Sequence, residues 1–197
     1  MVENLKLEHL GQSGLLIRRN GLSILLDPYL SNSVEELDSP DLVRQVPIKY
    51  RPEKLKEINW VLITHDHIDH CDPKTIPQIA SASPNACFVG PKPVREKLID
   101  WGISSERILP ASKKTIELAP SLRVQSIKAA HPHIELDSFG ETLHVGWLFE
   151  HKGKKLYAAG DTSVSEEVIT DLRKHKNINF ALLPVNEDNF FRRRRGI

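Results

Sequence analysis

The alternation of apolar and polar positions divides this chain into short segments of two periods. Residues 15–19 and 22–26 are apolar runs on either side of Asn20-Gly21, a pair that favours the tight turn of a β-hairpin because both residues tolerate positive φ. The second run ends at Asp27-Pro28, where the proline stops the strand and leaves a carboxylate at its end. Residues 30–57 are polar, contain Pro40, Pro47 and Pro52, and predict a loop or lid-like insertion. Residues 59–63 form an apolar run short enough for a buried strand. A short helix is predicted over 73–80, opened by Pro73, with Pro77 an awkward residue for its interior. Residues 86–89 predict a strand. Val94, Leu98 and Trp101 then recur at helical spacing up to Gly102, giving a helix over 93–101. Strands follow over 122–129, 143–150 and 156–159, the last two joined by a turn at Lys152-Gly153. Ser163 and Glu166 have the spacing of a capping box that opens a helix to about residue 174. Residues 179–184 read as one more buried strand. Strands dominate the first half and alternate with helices later, so the pattern predicts a mixed α/β protein of two sheets with helices outside.

A chain of 197 residues with 40% apolar composition fits a single domain over 1–197, with the polar insertion at about 30–57. Its 27 Lys and Arg nearly cancel its 26 Asp and Glu, so no global field draws it to nucleic acid or anionic lipid. Cys71 and Cys87 are too few for a disulfide framework and point to a reducing compartment. The N-terminal residues lack a signal-peptide layout, and no apolar run has the length of a membrane span. A cytoplasmic, soluble protein is the expectation.

Chemistry concentrates in Thr64-His65-Asp66-His67-Ile68-Asp69-His70, where three imidazoles and two carboxylates occupy six consecutive residues just after an apolar run. Neutral imidazole coordinates Zn²⁺, Mn²⁺ or Fe. Residues so close in sequence cannot all reach one ion with sound geometry, so the natural division gives His65 and His67 to one metal, and Asp69 and His70 to a second. The plain alternative is an exposed, charged loop without metal. Two further donor types end predicted strands: His131 after residues 125–130, and Asp161 after Gly160, which lets the backbone turn sharply. His131 can complete a three-imidazole shell, and Asp161 can bridge both ions with a water or hydroxide as the second bridge. Two ions about 3.5–4 Å apart lower the pKa of bound water to about 7 and hold a substrate oxygen. Asp27 suits an acceptor that orients a ligand imidazole from behind. For these single residues an ordinary structural role weighs more than it does for the cluster.

The cluster, with His131 and Gly160-Asp161-Thr162, resembles the metallo-β-lactamase superfamily, which implies an αββα sandwich with a two-metal site at one edge of its sheets. A narrower similarity is to the L-ascorbate-6-phosphate lactonase-like branch. It rests on Leu10-Gly11-Gln12-Ser13-Gly14, Leu25-Leu26-Asp27-Pro28, Arg44-Gln45-Val46-Pro47, Val89-Gly90-Pro91-Lys92, Trp101-Gly102 with Glu106-Arg107, and residues 156–162. Many glyoxalase and nuclease relatives carry a glycine shortly after the Asp-His pair; Cys71-Asp72-Pro73-Lys74 stands there instead, which favours the lactonase-like branch. The resemblance also implies a last metal-binding histidine downstream of residues 186–197. The final histidine here is His175, so the expectation is either an apparently truncated form whose sandwich exposes apolar surface, or a second metal held by Asp69, His70, Asp161 and water alone; in both the second site is weakened.

The remaining candidates have plainer readings. His133 is an alternative to His131 as ligand, and the resemblance favours His131; His133 would then lie near the substrate. His144 alternates with Leu143 and Val145 and reads as an exposed or satisfied strand residue. His9 and His151 have no local constellation, and Cys71 reads as packing. Arg192 to Arg195 form the only dense basic run, either a solvated tail or a source of one or two guanidiniums, Arg192 and Arg195, that grip a substrate phosphate.

These readings combine into a metal-dependent hydrolase with two divalent ions, Zn²⁺ or Mn²⁺. A metal-bound hydroxide opens a lactone or ester-like bond, in a phosphorylated sugar acid if the resemblance extends to substrate, and Asp69 orients or deprotonates the water. Alternatives are a phosphodiesterase acting on lipid or nucleotide, and a non-catalytic or inactive truncated member. The expected partner is a small-molecule substrate, with no nucleic acid; self-association into a homo-oligomer stays open.

Overall fold

Strands β1 (Lys6–Gly11), β2 (Gly14–Arg19) and β3 (Leu22–Leu26) form an antiparallel meander at one side of a six-stranded sheet. The predicted turn joins β2 to β3, with Asn20 and Gly21 at φ of 41° and 80°, the conformation that favours these residue types. The computed structural model describes residues 5–185. It divides into two compact units, Met1–Pro110 and Ala111–Ile197.

In the first unit the sheet continues in parallel. After a short helix α1 (Ser33–Leu37) and a 3₁₀ turn (Pro52–Lys54) come β4 (Trp60–Leu62), helix α2 (Ile76–Ala82), β5 (Cys87–Gly90), helix α3 (Lys92–Asp100) and β6 (Ile108–Pro110). Sheet order follows chain order, β1-β2-β3-β4-β5-β6. One face packs on the helices through Leu16, Leu25, Val61 and Phe88, which meet Ile76, Ile79, Val94 and Leu98. Ile17, Ile24, Leu62 and Val89 alternate with them and are buried as well, so these strands read as continuous apolar runs rather than as alternation.

Two sequence expectations change in detail. Pro77 is not interior to α2 but in its first turn, where a missing N–H costs nothing; the helix starts three residues later than predicted. The polar stretch 30–57 is largely irregular, as predicted, but holds α1 and the 3₁₀ turn.

The second unit is a five-stranded sheet built from β7 (Ile116–Ala119), β8 (Leu122–Lys128), β9 (Val145–His151), β10 (Lys154–Ala158) and β11 (Ile178–Leu182), in the order β11-β10-β9-β8-β7. Helix α4 (Glu166–Arg173) links β10 to its parallel neighbour β11. Leu172 packs on a cluster of Ile127, Leu148, Tyr157 and Ala159. The N-cap of α4 is Ser165, without a side-chain cap bond, so the predicted Ser163–Glu166 capping box does not form. Nor is β11 buried as predicted: Phe180 is 65% exposed and Leu183 60%, because among the described residues β10 is its only strand neighbour. Among the described residues no helix is long and apolar enough to cross a membrane.

Candidate metal centre

Parallel pairing of β3 with β4 sets the site's foundation. Leu26 lies opposite Leu62, and the Asp27 N–H donates to the Leu62 carbonyl at 3.0 Å. Both strands therefore end together, and Asp27 turns out of its strand at φ 42°, a left-handed geometry that Asp tolerates better than most residues. Its buried carboxylate accepts three bonds: from the Thr64 N–H at 2.7 Å, the Thr64 hydroxyl at 2.7 Å and His70 Nδ1 at 2.9 Å. Thr64 has one hydroxyl proton, which goes to Asp27. Its oxygen then accepts from His65 Nδ1 at 3.0 Å. Protons at Nδ1 of His65 and His70 leave the Nε2 lone pairs as donors.

The loop itself is compact. His67 O accepts the N–H groups of His70 and Cys71 at 3.0 and 2.7 Å. The His65 ring centroid lies 4.6 Å from that of His67 and 4.1 Å from that of His70. One ligand-type nitrogen of His65 falls within 4.8 Å of one on His67, and one within 4.8 Å of one on His70. Asp69 Oδ2 stands 3.7 Å from His70 Nε2. His65 and His70 are buried, His67 is exposed, and the Asp69 carboxylate is 44% accessible. The donor set, imidazoles beside a carboxylate with a carboxylate-anchored ring behind, fits a divalent metal ion.

Three side chains outside the loop fasten it, and the sequence assigned a role to none of them. The Ser13 hydroxyl, from the β1–β2 turn, donates to the Asp69 carbonyl at 2.5 Å. Lys97 of α3 reaches the Asp66 carbonyl and carboxylate. The fully buried carboxylate of Asp72 accepts from the Ser31 hydroxyl at 2.6 Å, from the Lys74 N–H at 2.9 Å and from the Thr75 hydroxyl, and so ties the chain after β3 to the chain after the loop. Ser13 and Asp72 lie in stretches that carry the family resemblance, whereas Lys97 had no sequence signal. Burial pushes the Cys71 thiol up to about 12, so it stays protonated and packs in the core, as its sequence context suggested.

In the second unit, His131 follows β8 and Asp161 follows β10. Gly160 turns at φ 61° just before Asp161. The Ala130 N–H donates to the Thr162 hydroxyl at 3.0 Å, and the Ser163 N–H donates to the Ala130 carbonyl at 2.7 Å. Those two bonds join the loops that carry His131 and Asp161. Both side chains are half-buried, and His133 is exposed, its carbonyl accepting the His131 N–H at 2.9 Å. His144 is 8% exposed, with its ring edge-to-face on His131 at 5.6 Å; the sequence left it as an exposed or satisfied residue, and it is buried. Arg192 and Arg195 lie outside the described residues.

Several known proteins are similar to this chain. An uncharacterized protein of Mycobacterium tuberculosis is 27% identical over 179 residues, covering 91% of this chain and 48% of its own length. A UPF0173 metal-dependent hydrolase of Pyrobaculum islandicum is 25% identical over 178 residues, 89% of this chain and 69% of its own. A protein of Escherichia coli described as a probable L-ascorbate-6-phosphate lactonase is 25% identical over 153 residues, 71% of this chain and 43% of its own. The chain thus spans about half the length of the mycobacterial relative. Among solved structures, a metallo hydrolase of Ignicoccus hospitalis superposes with a TM-score of 0.66 at 22% identity, covering 93% of this chain and 71% of the other. The sequence profile described as the beta-lactamase superfamily domain matches residues 23–192, a span that takes in the Asp27 anchor, the histidine loop, His131 and Asp161, and the chain belongs to that superfamily.

Proposed function

We propose that the chain forms the metal-binding part of a metal-dependent hydrolase, and that its substrate carries a lactone or similar ester-like bond, with a phosphorylated sugar acid the favoured class. In this reading His65, His67 and His131 would hold one ion, and Asp69, His70 and Asp161 the other, because their residue types suit a divalent metal. The observation that carries it is the buried relay from Asp27 through Thr64 to His65 and directly to His70. A cluster that only packed would have no need of two neighbouring rings in one tautomer, each with Nε2 turned from its hydrogen-bonded side.

Bound divalent ions supply an acidified water and a polarised substrate oxygen. The chain's own residues do the rest. Asp27 holds the His70 ring in orientation, and Thr64 does the same for His65. The Asp69 carboxylate, part exposed beside His70 Nε2, accepts the proton of the attacking water and keeps that water in line with the carbonyl carbon. The substrate class draws on the similarity to the E. coli lactonase; metal-dependent hydrolysis draws on the Pyrobaculum relative.

Elemental mass spectrometry on protein purified without chelator, paired with turnover of a phosphorylated sugar lactone, tests this. The wild type is expected to retain divalent metal and open the ring. His67→Ala should lose turnover by at least about 100-fold. Full turnover in His67→Ala would overturn the proposal.

A further inference from the structure

We propose that Lys97 is a positioning residue for the His65–His67 pair, acting through Asp66; the inference rests on the metal-centre reading above. Asp66 separates the two histidines. Lys97 Nζ lies 2.5 Å from the Asp66 carbonyl and 2.9 Å from its carboxylate. An ammonium has three donors, and two of them here grip one residue at backbone and side chain together. The grip sets the peptide plane between the donor residues, and with it the direction in which the His67 side chain leaves the loop.

The lysine's own position is well determined. Helix α3 starts directly after β5, and Gly90 lets it sit close: a Cβ at Gly90 would fall 2.6 Å from Val94 Cγ1. Val94 and Leu98, fully buried, fasten the helix to the core. Lys97 precedes Leu98 on the same turn, with its stem half-covered and its head at the loop. The other end of the loop has separate fastenings, Asp27 on His70 and Ser13 on the Asp69 carbonyl.

A part-exposed ion pair by itself contributes little, so the carbonyl contact is the one that matters. The sign of the effect separates positioning from simple charge. Removing a cation near a dication site would by Coulomb's law tighten metal binding; removing a positioning group weakens it. The same lysine thus predicts opposite outcomes under the two ideas.

The experiment is competitive titration of Zn²⁺ and Co²⁺ against a chromophoric chelator, with the Co²⁺ visible spectrum as a geometry reporter and thermal unfolding of the metal-depleted chain as a control. Lys97→Met is expected to weaken binding roughly tenfold, the scale seen when groups behind metal ligands are removed, and to change the Co²⁺ bands. Lys97→Arg should restore wild-type bands, and Lys97→Gln, which keeps a donor for the carbonyl and should fold even if Lys97→Met does not, should fall between. Affinity unchanged or tighter in both Lys97→Met and Lys97→Gln overturns the inference alone. So does a loss of affinity that is fully accounted for by the loss of stability of the metal-depleted chain, read from its unfolding temperature. A wild type that binds neither ion overturns the metal-centre reading and this inference with it.

Discussion

The two units present their donor residues in different ways. In the first, His65 and His70 are buried in the loop that follows β4 and are hydrogen-bonded to Thr64 and Asp27. In the second, His131 and Asp161 are half-buried on loops joined by two bonds that involve neighbouring residues, Ala130, Thr162 and Ser163. The contrast teaches that preorganisation is concentrated on one side. The histidine loop is built into the core before any ion arrives, and its geometry is coupled to folding.

Breaking the buried side should therefore show up as lost stability as well as lost metal. Asp27→Ala strips the acceptor from two N–H groups and a hydroxyl in a dry site, and each stranded donor costs about 1–3 kcal/mol. Urea unfolding of the metal-depleted variant should register a loss of about 3 kcal/mol or more. A loss below about 1 kcal/mol would mean that the loop is not preorganised by this carboxylate.

The same side should carry an alkaline signature through Cys71. Its folded pKa of about 12 stands above the reference value of 9.0, because burial disfavours the thiolate. Below about 9 the thiol is protonated in both states and its contribution to stability is fully present. Between about 9 and 12 the unfolded chain loses the proton and the folded chain keeps it, so stability falls as pH rises, on the order of 1 kcal/mol per pH unit. Unfolding curves across that range should flatten in Cys71→Ala; an unchanged slope would show that the thiol is not shielded.

The smallest stability effect belongs to the second side. His131→Ala should change unfolding of the metal-depleted chain by less than about 1 kcal/mol, as for a partly exposed loop residue, while lowering metal content. A large stability loss in this variant would erase the contrast between the two units.

Much of this was legible in the chain. The Asn20-Gly21 hairpin, the apolar run before Thr64, the helix ending at Gly102 and the spacing of the histidines all express local rules, in which a residue's chemistry depends on neighbours two to four positions away. Asp27 could be placed at a strand end, and a role behind an imidazole was a fair expectation for it. Boundaries slipped where a residue's preference is satisfied by more than one position, as with Pro77 in the first turn of α2 rather than its interior. β11 was misjudged for a different reason. An apolar run predicts a strand, but whether that strand is covered depends on how many neighbours it acquires, and among the described residues β11 pairs with β10 alone.

By itself the sequence determined most of the element types and marked the histidine loop as the candidate site, because periodicity, turn chemistry and metal-ligand type are properties of short segments. Only the tertiary structure decided which atoms hold those donors in place. Asp27 meets Thr64 and His70 across 37 and 43 residues, Ser13 meets Asp69 across 56, and Lys97 meets Asp66 across 31. Those distances close only when β3, β4 and β5 pair in parallel register and α3 seats on Gly90. A lysine among 27 cations carries no mark of that future. Its role comes from the packing of a helix one residue pair at a time, and that is a property of the fold.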